Sequence, residues 1–193
     1  MQATGLILAG GRGTRMGAVD KGLQAFRGQP MVAHVIARLA PQVDALLLNA
    51  NRNLDAYAAF GLPVLPDARP DYAGPLAGID AGLRHCATPY LVTAPCDSPF
   101  LPPDLVARLA AGLLAQDADI AIPVTGTGDA RQSQPVFALL KATLREDLER
   151  FLLDDGHKMM AWFRAHKLVE VAFDDEAAFL NMNTLEELQR YEP

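Results

Sequence analysis

Two stretches of this sequence bring together residue types suited to phosphate chemistry. The first is Leu8-Ala9-Gly10-Gly11-Arg12-Gly13-Thr14-Arg15-Met16-Gly17, with Lys21 shortly after it. Glycines let the backbone take left-handed turns and bring N–H groups close to an anion. No Gly-Lys-Ser/Thr follows, so this is not a P-loop. The spacing of Gly11, Gly13 and Gly17 is one residue too long for the dinucleotide fingerprint. The glycines alone fit a structural loop equally well. Arg12, Arg15 and Lys21 tilt the reading toward a triphosphate, which several fixed cations suit. The second stretch is Ala94-Pro95-Cys96-Asp97-Ser98-Pro99-Phe100-Leu101-Pro102, which follows an apolar run. A carboxylate leaving a buried strand at the carboxyl edge of a sheet is placed to hold Mg²⁺, which takes a few carboxylates plus phosphate oxygens. By itself Asp97 reads as an Asx turn; beside a phosphate cradle, the metal reading is preferred. Cys96 reads as a small buried residue, not a nucleophile.

Three further polar sets end predicted elements. Asn49-Ala50-Asn51 presents short side chains to a ligand. Tyr72-Ala73-Gly74-Pro75-Leu76-Ala77-Gly78, just after Asp67, has small residues that let the chain close over a ribose or base, or simply enter a helix. Asn181-Met182-Asn183 precedes a last helix and reads equally as its cap. Arg131-Gln132-Ser133-Gln134-Pro135 and Lys158 are polar or basic groups that could face a second substrate, or read as ordinary surface. His34 and His85 read as structural, and His157 and His166 have no partner that the sequence names. No Ser-His-Asp arrangement and no His/Cys metal cluster emerges.

The elements that must carry these residues alternate. Thr4–Ala9, Ala45–Leu48, Leu62–Leu65 and Tyr90–Ala94 read as buried strands. Met31–Leu39, Leu54–Phe60, Leu76–Cys86 and Pro103–Ala115 read as the helices between and after them. This spacing predicts a mostly parallel sheet covered by helices on both faces. Two strands, Asp119–Val124 and Pro135–Leu140, then flank a Gly-rich connection as a hairpin or a crossing loop. Helices near Leu144–Leu153 and Met159–His166, a strand Leu168–Phe173 and a capping box at Thr184–Glu187 complete the chain. No linker or repeat divides it, so residues 1–193 read as a single domain.

Composition narrows the class. The 193 residues are 50% hydrophobic and 21% charged, ordinary for a globular protein. No apolar run reaches the ~18 residues of a membrane helix, and no secretory signal opens the chain. Two cysteines cannot make a disulfide framework. A cytoplasmic enzyme is the expectation. The net charge of −6 argues against nucleic acid. Against it, Arg12, Arg15, Lys21 and Arg27 with only Asp20 among them form a basic island that suits a small anionic ligand, or a solvated loop.

The opening L-A-G-G-x-G-x-R-M-G-x-x-D-K resembles the Rossmann-like nucleoside-triphosphate transferases. Taken with G-P-L-A-G, P-C-D-x-P and N-x-N-T-x-E-E-L, it resembles the molybdopterin nucleotidyltransferases over nearly the whole chain. The resemblance implies an α/β Rossmann-like nucleotidyltransferase fold. It also implies Mg²⁺-dependent attachment of GMP from GTP to the terminal phosphate of molybdenum-bound molybdopterin, with loss of pyrophosphate. Leu8, Ala9 and Gly10 would then line the nucleotide. Gly11 to Gly17, with Gly13, Arg12 and Arg15, would wrap the phosphates. Lys21 would neutralise charge near the α-phosphate, and Lys21, Arg15 and Asp97 form the implied catalytic set. Asn49, Asp67 and Gly78 would lie at the nucleoside end, Asp97 would bind the metal, and Asn181 and Asn183 would face the pterin. Asp67 can accept guanine's adjacent N–H donors or bond a ribose hydroxyl. Proteins that supply the precursor or receive the product are expected to meet the chain directly. The rivals are a cytidylyltransferase on the same pterin and a non-catalytic nucleotide-binding protein.

Overall fold

In the computed structural model, residues 1–9, 20–68, 74–154, 156–183, 187, 190 and 191 are described. The elements follow in order: β1 (Ala3–Leu8), β2 (Ala25–Phe26), β3 (Gln29–Pro30), α1 (Met31–Leu39), β4 (Ala45–Asn49), α2 (Leu54–Ala58), β5 (Val64–Leu65), α3 (Pro75–His85), β6 (Tyr90–Pro95), α4 (Leu105–Ala115), β7 (Ile120–Thr125), β8 (Gln132–Ser133), β9 (Leu139–Lys141), α5 (Arg145–Leu153), α6 (Met159–Arg164) and β10 (Leu168–Ala172). The main sheet runs β10-β7-β9-β6-β1-β4-β5, with β8 added to β7. The pairs β1–β4, β1–β6, β4–β5 and β7–β10 are parallel, and only β8 and β9 run against the rest.

The alternation of side chains along each strand sorts the core onto two faces. Ile7, Leu48, Val92 and Leu139 pack with Val32, Val35 and Leu39 of α1 and Leu105 and Leu109 of α4. Leu6, Leu47, Leu91 and Leu140 pack with Leu76, Ile79 and Leu83 of α3, Leu148 of α5 and Trp162 and Phe163 of α6. Helices therefore cover both faces of a mostly parallel sheet, the architecture expected of buried strands joined by helical crossovers.

One expectation is corrected. Pro135–Leu140 is not one strand: only Leu139–Lys141 pairs with β6 and β7. One backbone bond continues the pairing, from the Thr93 N–H to the Ala138 carbonyl at 2.8 Å; beyond it the Thr93 hydroxyl donates to the Val136 carbonyl at 2.6 Å and accepts from the Ala138 N–H at 3.1 Å, so side-chain contacts take over where the ladder ends. The connection before it is a hairpin return, with β8 antiparallel to β7. A second hairpin, β2–β3, was not anticipated; it turns through Arg27 and Gly28, at φ 48° and 77°. The helix expected at Thr184 falls outside the described residues except for Glu187, Arg190 and Tyr191. Among the described residues, no helix is long and apolar enough to cross a membrane.

Candidate active site

Register builds the site. Leu8 pairs with Pro95 on one side and Asn49 on the other, and Asn49 pairs with Leu65. Four strands therefore end level at one edge, the carboxyl edge where open α/β sheets bind ligands. Asp97, Asn51 and Asp67 each lie two residues past one of these ends. Buried β6 cannot carry a charge along its length, so its first carboxylate appears where the strand leaves the core.

The Lys21 ammonium lies 3.2 Å from Asp97 Oδ2, with the side chains 25% and 13% exposed. It also donates to Asn183 Oδ1. The Asn181–Asn183 segment is tied to the end of β6. The Met182 N–H donates to the Asp97 carbonyl at 2.8 Å, and the Ser98 hydroxyl bonds Asn181 Oδ1 at 2.5 Å. Asn183 also donates from Nδ2 to the Asn181 carbonyl, and its N–H bonds Glu187 Oε2 at 2.6 Å. The side-chain oxygen of Asn183 thus faces Lys21, while Glu187 supplies a reaching-back contact like that of a capping box.

The other expected residues gather two strands away, on the order of 10 Å by strand spacing. Asn49 Nδ2 donates to the Leu65 carbonyl at 3.0 Å and to Asp67 Oδ1 at 2.8 Å. Asn51 Nδ2 donates to Asp67 Oδ2, and the Asp67 N–H returns a bond to Asn51 Oδ1, both at 2.8 Å. Each Asp67 oxygen therefore already accepts from an amide, and Asp67 is held as one face of an Asn49–Asp67–Asn51 network. Gly78 lies on α3 directly over this set. A Cβ there would meet Leu8 Cδ2 at 2.7 Å and overlap the Asn49 carboxamide. Leu8 and Ala9 form the floor between the two groups, with the Ala9 N–H donating to the Asn49 carbonyl at 2.8 Å. Gly10, Gly11, Arg12, Gly13 and Arg15 lie outside the described residues, as do residues 69–73.

The sequence assigns no role to Ser98, Asp20, Tyr57 or Asn53. Tyr57 is fully buried and donates to Asp20 Oδ1 at 2.5 Å; Asn53 Nδ2 donates to Asp20 Oδ2 at 3.0 Å. Burial, and next the nearby Cys96, push the Tyr57 phenol far up, so it stays a donor. Burial, then Asp97 and Asp20, likewise push up the Cys96 thiol, which agrees with an inert packing role. Asn51 and Ser98 stood within motifs already singled out, but nothing local names their partners. Elsewhere, Arg131 and Ser133 engage Glu170 at 2.5 and 2.7 Å. His166 Nε2 lies 3.0 Å from Asp147 Oδ1, an ion pair only when the ring is protonated. His34 Nε2 bonds the Phe26 carbonyl, a structural role.

The arrangement has a cation between a carboxylate and an amide at one end of a sheet edge, and an amide–carboxylate network at the other. That suits a nucleotide laid across the strand ends, phosphates toward β6 and nucleoside toward β4. The MobA-like NTP transferase domain matches residues 5–171. The molybdenum cofactor guanylyltransferase of Cupriavidus necator is 59% identical over 190 residues, covering 98% of this chain and 96% of that protein. The protein of the same name from Ralstonia nicotianae is 60% identical over 192 residues, covering 97% and 94%. Among solved structures, molybdopterin-guanine dinucleotide biosynthesis protein A from Archaeoglobus fulgidus has a TM-score of 0.77 at 25% identity, covering 98% of this chain and 96% of that one. With the domain match covering Lys21, Asn49, Asp67, Gly78 and Asp97 and relatives more than half identical along nearly their full length, the chain belongs to the MobA-like NTP transferase family.

Proposed function

We propose that this protein transfers GMP from GTP to the terminal phosphate of molybdenum-bound molybdopterin, releasing pyrophosphate and forming the guanine dinucleotide form of the cofactor. One observation carries the reading: Lys21 Nζ sits between Asp97 and Asn183, where the phosphate edge meets the segment expected to face the pterin. The names of the relatives from Cupriavidus and Ralstonia support the choice of reaction.

An oxygen of the pterin's terminal phosphate attacks the α-phosphorus. The bond to the α–β bridging oxygen breaks, and that oxygen leaves with pyrophosphate. Both reactants are anions, so the protein's contribution is alignment and cancellation of repulsion. Lys21 places a fixed positive charge beside the reacting phosphates, with Arg15 as a second. Asn181 and Asn183, fastened to Ser98 and Lys21, orient the attacking phosphate. The Asn49–Asp67–Asn51 network receives the nucleoside, Asp67 through a remaining lone pair on guanine's N–H edge or on a ribose hydroxyl. Leu8, Ala9, Gly10, Gly11, Arg12 and Gly13 supply the floor and the wrap. Asp97 fits Mg²⁺, because a single carboxylate at a strand end suits an ion that takes its other oxygens from phosphate and water. When bound, Mg²⁺ would offset charge on the triphosphate.

The test is thermal unfolding with Mg²⁺ and GTP, CTP, UTP or ATP in turn, followed by pyrophosphate release with the pterin. At 100 times its dissociation constant a ligand of the folded state contributes about 2.7 kcal/mol. A shift with GTP alone, and turnover lost in Asp97→Ala at saturating Mg²⁺, is the expected result. A shift with CTP alone moves the assignment to cytidylyl transfer. Binding without any pyrophosphate release makes the protein a non-catalytic binder.

A further inference from the structure

The Lys21 side chain must hold one position to act, yet it is a long, flexible chain on a three-residue 3₁₀ turn, Lys21–Leu23. What fixes the turn is the residue before it. Asp20 occupies the N-cap, where a carboxylate ordinarily accepts from the first N–H groups of the helix. Here it makes no such bond. Its two oxygens instead take the Tyr57 hydroxyl at 2.5 Å, from α2, and the Asn53 amide at 3.0 Å, from the residue that precedes that helix. Asn53 stands in the left-handed region at φ 51°, which aims its amide back at Asp20 rather than along its own helix. On the other side of Lys21, a Cβ on Gly22 would come 2.5 Å from the Tyr57 hydroxyl and 3.1 Å from Cys96 Sγ. The backbone on both sides of Lys21 is therefore pressed against Tyr57, and Cys96 is the neighbour of Asp97.

We infer that Tyr57 and Asn53 are positioning residues for the transfer reaction, holding Asp20 so that Lys21 Nζ stays between Asp97 and Asn183. The inference rests on the proposed role of Lys21. It adds α2, which carries none of the residues expected at the site, to the machinery that aligns the phosphates. A misplacement of about 1 Å in a group that neutralises charge at the reacting atoms costs turnover by up to the order of 100-fold. It costs binding little, because GTP keeps its other contacts.

Tyr57→Phe keeps the buried ring and removes only the donor; Asn53→Gly keeps the left-handed backbone and removes only the amide. The expected result is a fall in kcat on the order of 10–100-fold in Tyr57→Phe, and a smaller fall in Asn53→Gly, with the GTP dissociation constant unchanged. In Lys21→Ala/Tyr57→Phe the two losses should not add, since Tyr57 acts through Lys21. A second readout needs no turnover. Acetylation of Lys21 by acetic anhydride, followed by peptide mass spectrometry, should quicken in both single variants as the ammonium leaves Asp97. Wild-type kcat and Lys21 reactivity in both variants, with Lys21→Ala inactive, overturns the inference while leaving the proposed function standing. Full activity in Lys21→Ala removes the role of Lys21 itself, a distinct failure. If Tyr57→Phe does not fold, Asn53→Gly, at an exposed position, decides alone. Additive losses in the double variant assign Tyr57 to general stability and overturn the inference.

Discussion

Gly78→Ala should weaken the protein and its hold on GTP together, although Gly→Ala within a helix ordinarily stabilises. On helix propensity alone the change is favourable by about 1 kcal/mol. Against that, the new Cβ would stand 2.7 Å from Leu8 Cδ2 and 2.9 Å from Asn49 Cγ, where carbon atoms prefer about 3.5–4.0 Å. Forcing a methyl group into a packed interior costs about 1–3 kcal/mol. Should the Asn49 carboxamide swing away, its bonds to the Leu65 carbonyl and Asp67 are lost, at about 1 kcal/mol each. The net is a destabilisation of about 2 kcal/mol, or roughly 4–8 °C in Tm for a chain of this size. Differential scanning calorimetry measures the first part and titration with GTP the second. Because Asn49 positions Asp67, affinity should fall while the rate of the bound complex changes less. Asn49→Ala in the same background relieves the overlap, so the double variant should be more stable than the sum of the two single effects. A rise in Tm for Gly78→Ala with unchanged GTP affinity would refute the reasoning. It would mean that α3 does not press on the Asn49–Asp67 network.

Three further outcomes are expected. Ser98→Ala removes the donor to Asn181 Oδ1; water can replace it at an exposed asparagine, so stability should drop by only about 0.5–1.5 kcal/mol, while, on the proposed function, turnover at saturating GTP falls because the segment proposed to face the pterin loosens. Lys141 holds the Asp119 carboxyl below its usual range, and the Ser133 hydroxyl, then Arg131, do the same for Glu170. A depressed folded value stabilises above the unfolded pKa of about 4 and is lost as pH falls through the folded one. Acid unfolding curves should therefore be shallower below about pH 4 in Asp119→Asn and Glu170→Gln. Trp162 is 1% exposed and donates to Asp147 Oδ1 at 2.9 Å; Trp162→Ala should cost about 3–5 kcal/mol, read as an earlier urea midpoint by circular dichroism.

Much of the frame was legible because local patterns carry it. Met31–Leu39 places Val32, Val35 and Leu39 on one buried stripe, and the observed helix has those bounds. The run Tyr90–Ala94 is too apolar for anything but a buried strand, and it became β6. Where reading failed, a distant group had intervened. Pro135–Ala138 has strand-like residues, but beyond the single backbone bond from Thr93 to Ala138 the Thr93 hydroxyl bonds the Val136 carbonyl and the Ala138 N–H in place of a neighbouring strand. The hairpin of β2 and β3 has two-residue strands, too short for any alternation to register, and turns at Arg27, a residue seldom found at positive φ. His166 finds Asp147 across the space between α5 and α6, which no spacing rule reports.

Local patterns are enough to say which residue types stand where strands end: the glycines and cations after β1, Asp97 after β6, Asn49 and Asn51 about the end of β4, and the asparagine pair at 181 and 183. Burial dictates this, because a strand covered on both faces excludes charge until it leaves the sheet. Which of them meet depends on how the strands are ordered in the folded chain. Lys21, Asp97 and Asn183 are separated by 76 and 162 positions from lysine to each partner. They converge because β1 lies between β6 and β4 in the sheet. Strand order is set by the free energy of burying both faces at once, a property of the whole chain rather than of any window of it. The same holds for α2: Tyr57 reads as part of a short helix and Asn53 as the residue before it, and packing alone turned them toward the residue beside Lys21.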